Sequence, residues 1–371
     1  MNSADPPLRV LLACDNFVRY TADLAGGLRE NGAEVALLTR DHDMEFGGEE
    51  GAFRSFVTDR VDERIARYEL PGRFRSPQGL QRALRIRREL REFSPDVIHV
   101  QAGITNDPRL LLAANARPGR FAFTLHDPSP HPGDRVTVRE RLMVTLLIRT
   151  AGLIFMHGEA LREDLLSTRR VNAPVVVLPH GVTPAVSTPA PSNGSLLFFG
   201  RMSEYKGLDV LLDCLPKLWE RLPAATLTVA GSGVIPTHSA LDDSRVRVRR
   251  GHVPDRELES LFTDSGCVVL PYREASQSGV GSLAKQYARP LVVTSVGGLP
   301  ELVADGSGLI VPPGDPSRLA EALASVLTDP DLARRLGEAG ARTAAGPASW
   351  KHVAALTLEA YRERMATANL A

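Results

Sequence analysis

Arg201 and Lys206 stand five residues apart in "GRMSEYKG", directly after the apolar run "SLLFF" and directly before a leucine-striped segment. Two cations across a turn that opens a helix form a cradle for a diphosphate, because the helix N-terminus adds unpaired N–H groups and a positive dipole. A second stretch, "PYREASQSGVGSLAKQYARP" (271–290), follows the run "CVVL" and also turns into a helix. Beyond Glu274 its loop carries no charge. Ser276, Ser278, Gly279, Val280 and Gly281 can still offer hydroxyls and backbone N–H groups to a phosphate whose countercharge comes from Arg201 and Lys206. A third stretch, "TLHDPSPHPGD", puts His126, Asp127 and His131 in a proline-rich loop at a strand end, where loop residues of these types take part in chemistry.

Strand ends elsewhere repeat the theme. His99 ends "DVIH", His157 ends "IFMH", His180 follows "VVVLP" and His252 ends "VRVRRGH". With His126 and Arg201, six strand ends carry a histidine or an arginine, and five of the nine histidines are among them. A ring that fills the core and bonds to backbone is the leading reading for His99, His157 and His180, with an acceptor-side contact as the alternative. For His126 the functional reading leads. Gly297 and Gly298, in "SVGGLPELV", are further residues able to approach a ligand closely.

The elements that must position these residues are short apolar runs alternating with longer helical stretches. The runs are "RVLLACD", "EVALLTR", "DVIHVQ", "FAFTLHD", "LIFMHG" and "VVVLPHG", then "SLLFFGR", "ATLTVAG", "VRVRRGHV", "CVVLPY", "LVVTSV" and "GLIVPPG". Near-continuous apolar strands separated by helices imply parallel sheets buried on both faces, with ligands beyond the carboxyl ends of the strands. Leu208, Leu211, Leu212, Leu215, Leu218 and Leu222 recur at helical steps. "GVTPAVSTPAPSNGS" has no apolar period and reads as a linker. Two Rossmann-like α/β domains follow, over residues 1–188 and 189–348, with a final amphipathic helix over 349–371.

Composition narrows the function classes. The 371 residues have a formal net charge of zero, so no global field draws in nucleic acid. Only four of the 44 Lys and Arg residues are lysines, Lys206 among them. Three scattered cysteines argue against a disulfide framework or a zinc site. "MNSADPPLRV" leads directly into a strand pattern and no apolar run approaches ~20 residues, so a cytoplasmic protein is expected. The loop "ACDNFVRYTADL" lacks a glycine fingerprint, which disfavours a dehydrogenase-type dinucleotide fold. "LDD" at 241–243 is a weak metal site. The arginine-rich 73–91 region reads first as a solvated face; association with a membrane surface is not favoured.

"FFGRMSEYKGLDVLL", "LTVAGSG", the "GHVP" turn, "VVLPY" and "RPLVVTSVGGLPELVADGSGLIVPPGD" together resemble the donor half of GT-B glycosyltransferases, closest to the retaining group called family 4. "PDVIHVQ", "FTLHDPSPHPGD" and "LPHGV" carry a looser resemblance over the first half. The resemblance implies two Rossmann-like domains facing a deep cleft, with a C-terminal helix, led by Ser349 and Trp350, that crosses back to the first domain. It implies a nucleotide sugar as donor, with Arg201 and Lys206 on the diphosphate, Ser278, Gly279 and Val280 capping it, and the base near His252 and Val253. His126 matches the histidine that faces the reacting sugar.

One departure is plain. Many members carry a Glu-x7-Glu pair where this chain has Ala275 and Leu283, so Glu274, Ser276 and Gln277 become the candidates for the sugar and ribose contacts. The family's first-domain glycine loop is absent too, leaving Arg19 and Tyr20 as stand-ins. His99, Asp127, His131 and His157 complete the acceptor-side candidates. The expectation is a retaining, metal-independent glycosyltransferase without a cofactor, monomeric or homodimeric. It moves a hexose-type sugar from a UDP- or GDP-linked donor to a small-molecule, natural-product or glycan-precursor acceptor. The rival readings are a non-catalytic GT-B partner protein and another GT-B enzyme, such as a nucleotide-sugar epimerase or a phosphorylase.

Overall fold

A computed structural model gives the structure of residues 6–14, 17–39, 55–58, 81, 84, 88, 90–101, 119–127, 137–184, 190–191 and 194–368. The chain divides into two compact units, Met1–Gly181 with Trp350–Ala371, and Val182–Ser349. Each is built on one six-stranded sheet. Every one of the twelve apolar runs is a strand.

In the first unit these strands are β1 (Arg9–Ala13), β2 (Glu34–Leu38), β3 (Val97–Gln101), β4 (Phe121–Thr124), β5 (Leu153–Met156) and β6 (Val175–Val177), in the order β2-β1-β3-β4-β5-β6. All neighbours pair in parallel. Helices α1 (Val18–Glu30), α2 (Val138–Thr150) and α3 (Glu159–Thr168) lie between strands. Side chains alternate along each strand, so Val10 and Leu12 enter one core layer while Leu11 and Ala13 enter the other. Chain order reverses between β1 and β3, which marks the carboxyl ends of those strands as a switch point.

The second unit holds β7 (Ser195–Phe199), β8 (Thr226–Gly231), β9 (Val246–Arg250), β10 (Cys267–Leu270), β11 (Leu291–Thr294) and β12 (Gly308–Val311), ordered β12-β11-β10-β7-β8-β9. Its pairs are parallel as well. The helices are α4 (Leu208–Arg221), α5 (Asp255–Thr263), α6 (Gly279–Gln286), α7 (Leu299–Leu302), α8 (Pro316–Thr328) and α9 (Pro330–Ala345). Leu196 and Phe198 join the layer under α4 and α8, and Leu197 joins the layer under α5 and α6. Each fully buried leucine or phenylalanine contributes about 1.5–3 kcal/mol relative to exposure, and both faces of this sheet are lined with them. Here the order reverses between β7 and β10.

The last helix, α10 (Trp350–Ala368), belongs to the first unit. Its Val353, Ala354, Leu358 and Tyr361 enter the same buried cluster as Val18, Leu24 and Leu28 of α1. No helix among the described residues is long and apolar enough to cross a membrane.

Candidate active site

At the switch point of the second unit, the loop after β7 and the loop after β10 stand side by side because their strands are hydrogen-bonded neighbours. The first loop ends in a single helical turn, Glu204–Lys206, and then Gly207. Gly207 has φ +66°, and a Cβ there would strike the Pro271 carbonyl oxygen. Glycine therefore lets the two loops close on each other. Arg273 holds the turn from the other side. Its N–H donates to the Tyr205 carbonyl at 2.7 Å, and its guanidinium forms a two-pronged pair with Asp209 at 2.7 and 2.5 Å.

This scaffold carries Lys206 inward. The residue is 9% exposed, and its ammonium donates to the Tyr272 hydroxyl at 2.8 Å while standing 4.3 Å from the Tyr272 ring centre. Burial lowers the lysine's pKa, and the nearby Arg201 adds to the shift. Tyr272, also buried, is pushed up to about 12, so it meets the ammonium as a neutral phenol. Among the described residues no carboxylate pairs with Lys206. Arg201 is exposed at the mouth of the same loop.

The Tyr272 hydroxyl also lies 3.3 Å from Ser278 Oγ, and that oxygen accepts the N–H of Gly281 at 3.3 Å as the N-cap of α6. One phenol thus joins the buried cation to a helix N-terminus. Gly279 is exposed, and a Cβ on it would meet no atom within 4 Å, so the protein itself does not require glycine there. Val280 and Ser276 are buried, Gln277 is half-buried and Glu274 is exposed. Gly297 and Gly298 press on this loop from behind: a Cβ on Gly297 would strike the Ala275 carbonyl, and Gly298 N donates to Ser276 O at 3.1 Å. These two glycines support the loop from within the protein. His252 is exposed beyond β9, and Val253 beside it is buried. Asp243 of "LDD" is engaged with Arg245 at 2.7 Å.

The carboxyl edge of the first sheet gathers the histidines. His126 is 7% exposed, stacked on Phe17 at 4.2 Å between ring centres and met edge-on by Tyr20 at 4.8 Å. His157 stands 5.2 Å from His126 and 5.3 Å from His180. Burial lowers the pKa of all of them, with neighbouring imidazoles adding to the effect at His99, His126 and His157; His99 and His157 fall to about 3. All four rings are neutral at neutral pH.

His99 and His157 belong to the core. His99 is 1% exposed and bonds through both nitrogens, to Tyr361 and Thr124, so its ring is closed to an acceptor molecule. His157 donates Nδ1–H to the Leu178 carbonyl at 3.1 Å. Tyr20 is buried among His126, His157, His180 and Trp350, and the Arg19 guanidinium lies 5.1 Å from the Phe56 ring centre. Asp127 is half-buried next to His126. His131 and most of the 73–91 region lie outside the described residues. Sequence reasoning missed Tyr272, Gln101 and Arg273; each sits at or just past the end of a recognised strand run, and that position is their only signal.

Residues 17–186 match the family model "Glycosyltransferase Family 4", and residues 193–329 match the model "Glycosyl transferases group 1". The chain belongs to this glycosyltransferase family. A glycogen synthase of Mycobacterium tuberculosis is 26% identical over 73% of this chain and 69% of its own length. A D-inositol 3-phosphate glycosyltransferase of Kineococcus radiotolerans is 29% identical over 63% of this chain and 61% of its own length. Among solved structures, sucrose-phosphate synthase from Thermosynechococcus elongatus superposes with a TM-score of 0.73 at 18% identity, covering 97% of this chain and 100% of that one. HepE of Anabaena in complex with UDP-glucose gives 0.69 at 18% identity, covering 95% and 100%. These likenesses establish the GT-B type of fold. Within this family member, Ala275 and Leu283 are both half-buried, and neither position supplies a carboxylate.

Proposed function

We propose that the protein is a retaining, metal-independent glycosyltransferase that moves a hexose-type sugar from a nucleoside-diphosphate sugar, UDP- or GDP-linked, to a small-molecule or glycan-precursor acceptor. The observation that carries this reading is the buried Lys206 ammonium, which lacks a carboxylate among the described residues and is tied through Tyr272 to the N-terminus of α6. A buried cation without a counter-ion is costly, and an anionic ligand at the helix N-terminus offsets that cost. Arg201 and Lys206 hold the diphosphate, while the Ser278, Gly279 and Val280 backbone caps it. His252 and Val253 flank the base, and Glu274, Ser276 and Gln277 serve the sugar and ribose hydroxyls. His126 is the histidine of the first unit that contacts the sugar.

In the reaction, the bond from the anomeric carbon to the diphosphate oxygen breaks as the bond to the acceptor oxygen forms on the same face. The acceptor's proton passes to a diphosphate oxygen. Stabilising the negative charge that grows on the leaving group is then the main catalytic contribution of Lys206 and Arg201.

Ala275 and Leu283 favour a second reading, a non-catalytic family member that keeps the nucleotide site. A thermal-shift panel of UDP, GDP, TDP and ADP, followed by turnover with glucose, galactose, mannose and N-acetylglucosamine donors of the base that binds, separates the two. A ligand at 100 times its Kd stabilises by ~2.7 kcal/mol. Binding with transfer or donor hydrolysis supports the enzyme, binding without either supports the second reading, and no binding sinks both.

A further inference from the structure

His126 is the near end of a buried chain of hydrogen bonds. Its Nε2 lies 3.3 Å from Gln101 Oε1, and Gln101 Nε2 lies 3.3 Å from His99 Nε2. His99 Nε2 is also 2.7 Å from Thr124 Oγ1, and His99 Nδ1 is 2.5 Å from the Tyr361 hydroxyl. Gln101, His99, Thr124 and Tyr361 are each no more than 1% exposed, so water does not compete for these positions. The links come from the middle and end of β3, the end of β4 and the middle of α10.

Each group in the chain restricts the next. The Gln101 carboxamide turns its oxygen to His126 and its nitrogen to His99. In that orientation the oxygen accepts from His126 Nε2–H and the nitrogen donates to a lone pair on His99 Nε2, whereas a turned amide reverses both tautomers. The His99 proton is therefore on Nδ1 and is donated to Tyr361. Thr124 can supply a second donor to His99 Nε2. The bonds from His126 through Gln101 and His99 to Tyr361 run in one direction, with Thr124 joining from the side.

We propose that Gln101, backed by His99 and Tyr361, is a positioning residue that fixes His126 as the neutral Nε2–H tautomer and leaves His126 Nδ1 as a hydrogen-bond acceptor for a sugar hydroxyl. The second half of this statement rests on the reading of His126 as a sugar contact; the first half does not. An imidazole free to choose its tautomer offers a donor and an acceptor interchangeably, whereas a fixed one discriminates a hydroxyl that points a proton at it. Gln rather than Glu at 101 also keeps the chain uncharged. A carboxylate in that position favours an imidazolium, as charge pairing does generally.

The groups around His126 are Phe17 just before α1, Tyr20 in α1, Gln101 and His99 from β3, Asp127 next to it in sequence, and the rings of His157 and His180 beyond β5 and β6. Among the described residues Asp127 is the one carboxylate of this group, and its charge acts on His157.

The test is long-range ¹H–¹⁵N correlation NMR on histidine-labelled protein at pH 7.5 without ligand, with assignments from His→Gln variants. The expected result is His126 as Nε2–H and His99 as Nδ1–H, both neutral. Tyr361→Phe, which keeps the ring in the core, is expected to leave His99 a mixture of tautomers and to lower kcat two- to fivefold. Gln101→Leu is expected to mix the His126 tautomers and to lower kcat at least tenfold, with the Kd of the bare nucleoside diphosphate unchanged. In Gln101→Glu, His126 is expected to titrate at a higher pH than in the parent protein, so that turnover falls off earlier on acidification and recovers as pH rises. His126 found as Nδ1–H or as an imidazolium in the parent protein overturns the proposal, as does a Gln101→Leu protein with the parental tautomer. Absence of transfer with every donor, alongside the expected spectrum, supports the lock and strikes instead at the enzymatic reading.

Discussion

The Lys206 ammonium and the Tyr272 hydroxyl oxygen stand 2.8 Å apart, although the two residues follow different strands and are 66 positions apart in the chain. The pairing exists because β7 and β10 are neighbours in the sheet, so the loops that leave them share one space. Lys206→Ala should cut turnover by roughly 10²–10³, about 3–4 kcal/mol, if the ammonium stabilises charge on the leaving diphosphate. Tyr272→Phe removes only the hydroxyl that steers the ammonium and should cost about 0.5–1.5 kcal/mol in diphosphate binding. Steady-state kinetics and calorimetry on the two variants check the order; near-parental turnover in Lys206→Ala removes the cradle from the mechanism.

Gly279 offers a clean probe of ligand approach. A Cβ there meets no protein atom within 4 Å and the backbone is not left-handed, so Gly279→Val should leave the melting temperature nearly unchanged. Nucleotide binding should weaken severely, because the branched side chain stands where the diphosphate meets the helix start. Ser278→Ala removes one neutral hydrogen bond and a helix cap, and should cost about 0.5–1.5 kcal/mol in binding or stability. Tight diphosphate binding by Gly279→Val in calorimetry means that α6 is simply a capped helix.

Glu274 is exposed at the start of the same loop and is the acid nearest in sequence to the Ala275 position. If it serves the donor's sugar hydroxyls, Glu274→Gln should lower turnover about tenfold or more while leaving the Kd of the bare nucleoside diphosphate as it was, since a neutral amide replaces a charge-assisted hydrogen bond. Equal losses in both measurements point to the diphosphate or the loop itself.

Acid should weaken the first unit selectively. Unfolded, its histidines take up protons near pH 6.5, whereas His99 and His157 in the folded protein stay neutral down to about 3. Between those limits the unfolded chain binds more protons, so stability is lost as pH falls, by at most ~1.4 kcal/mol per pH unit for each ring. Above pH 7 these groups contribute no slope. One tryptophan lies in each unit, Trp350 against Tyr20 and Trp219 against Arg245. Urea unfolding of Trp219→Phe, followed by Trp350 emission at pH 8, 6.5, 5.5 and 4.5, reads the effect; a midpoint that does not move contradicts it.

Metal should be dispensable to turnover. With Lys206 and Arg201 as the charges on the diphosphate, EDTA should leave the rate unchanged; loss of activity that Mg²⁺ or Mn²⁺ restores would show that the leaving group needs a Lewis acid.

The strands were legible because both sheets are buried on both faces, which makes "CVVL" or "SLLFF" unbroken apolar runs with no solvent face to interrupt them. Strand ends were legible for the same reason, since polarity returns where the sheet stops. What lay hidden were contacts between residues distant in sequence. Tyr272 looked like the last residue of a strand until β7 brought Lys206 beside it. Gln101 closed the run "DVIHVQ" without any spacing that could relate it to His126, because parallel pairing of β3 with β4 sets that contact. The glycines of "SVGGLPELV" were visible as close-approach residues, but only the structure shows Ala275 and Ser276 as what they approach. His99 could not be assigned from sequence, because its partner Tyr361 lies 262 residues away.

The position of α10 also sets the order in which the molecule can be completed during its synthesis. The ribosome releases Val182–Ser349, with all the strands of its sheet, before any residue of α10 appears. Until Val353, Ala354, Leu358 and Tyr361 emerge, the face of α1 that they cover is open to water, although α1 was made before the whole of the second unit. Domains fold as units during translation, so the half begun first is the half finished last. A chain cut short near residue 349 carries a bare apolar surface on α1 and no partner for His99 Nδ1. Premature termination thus leaves a product that chaperones and proteases can recognise by its missing lid.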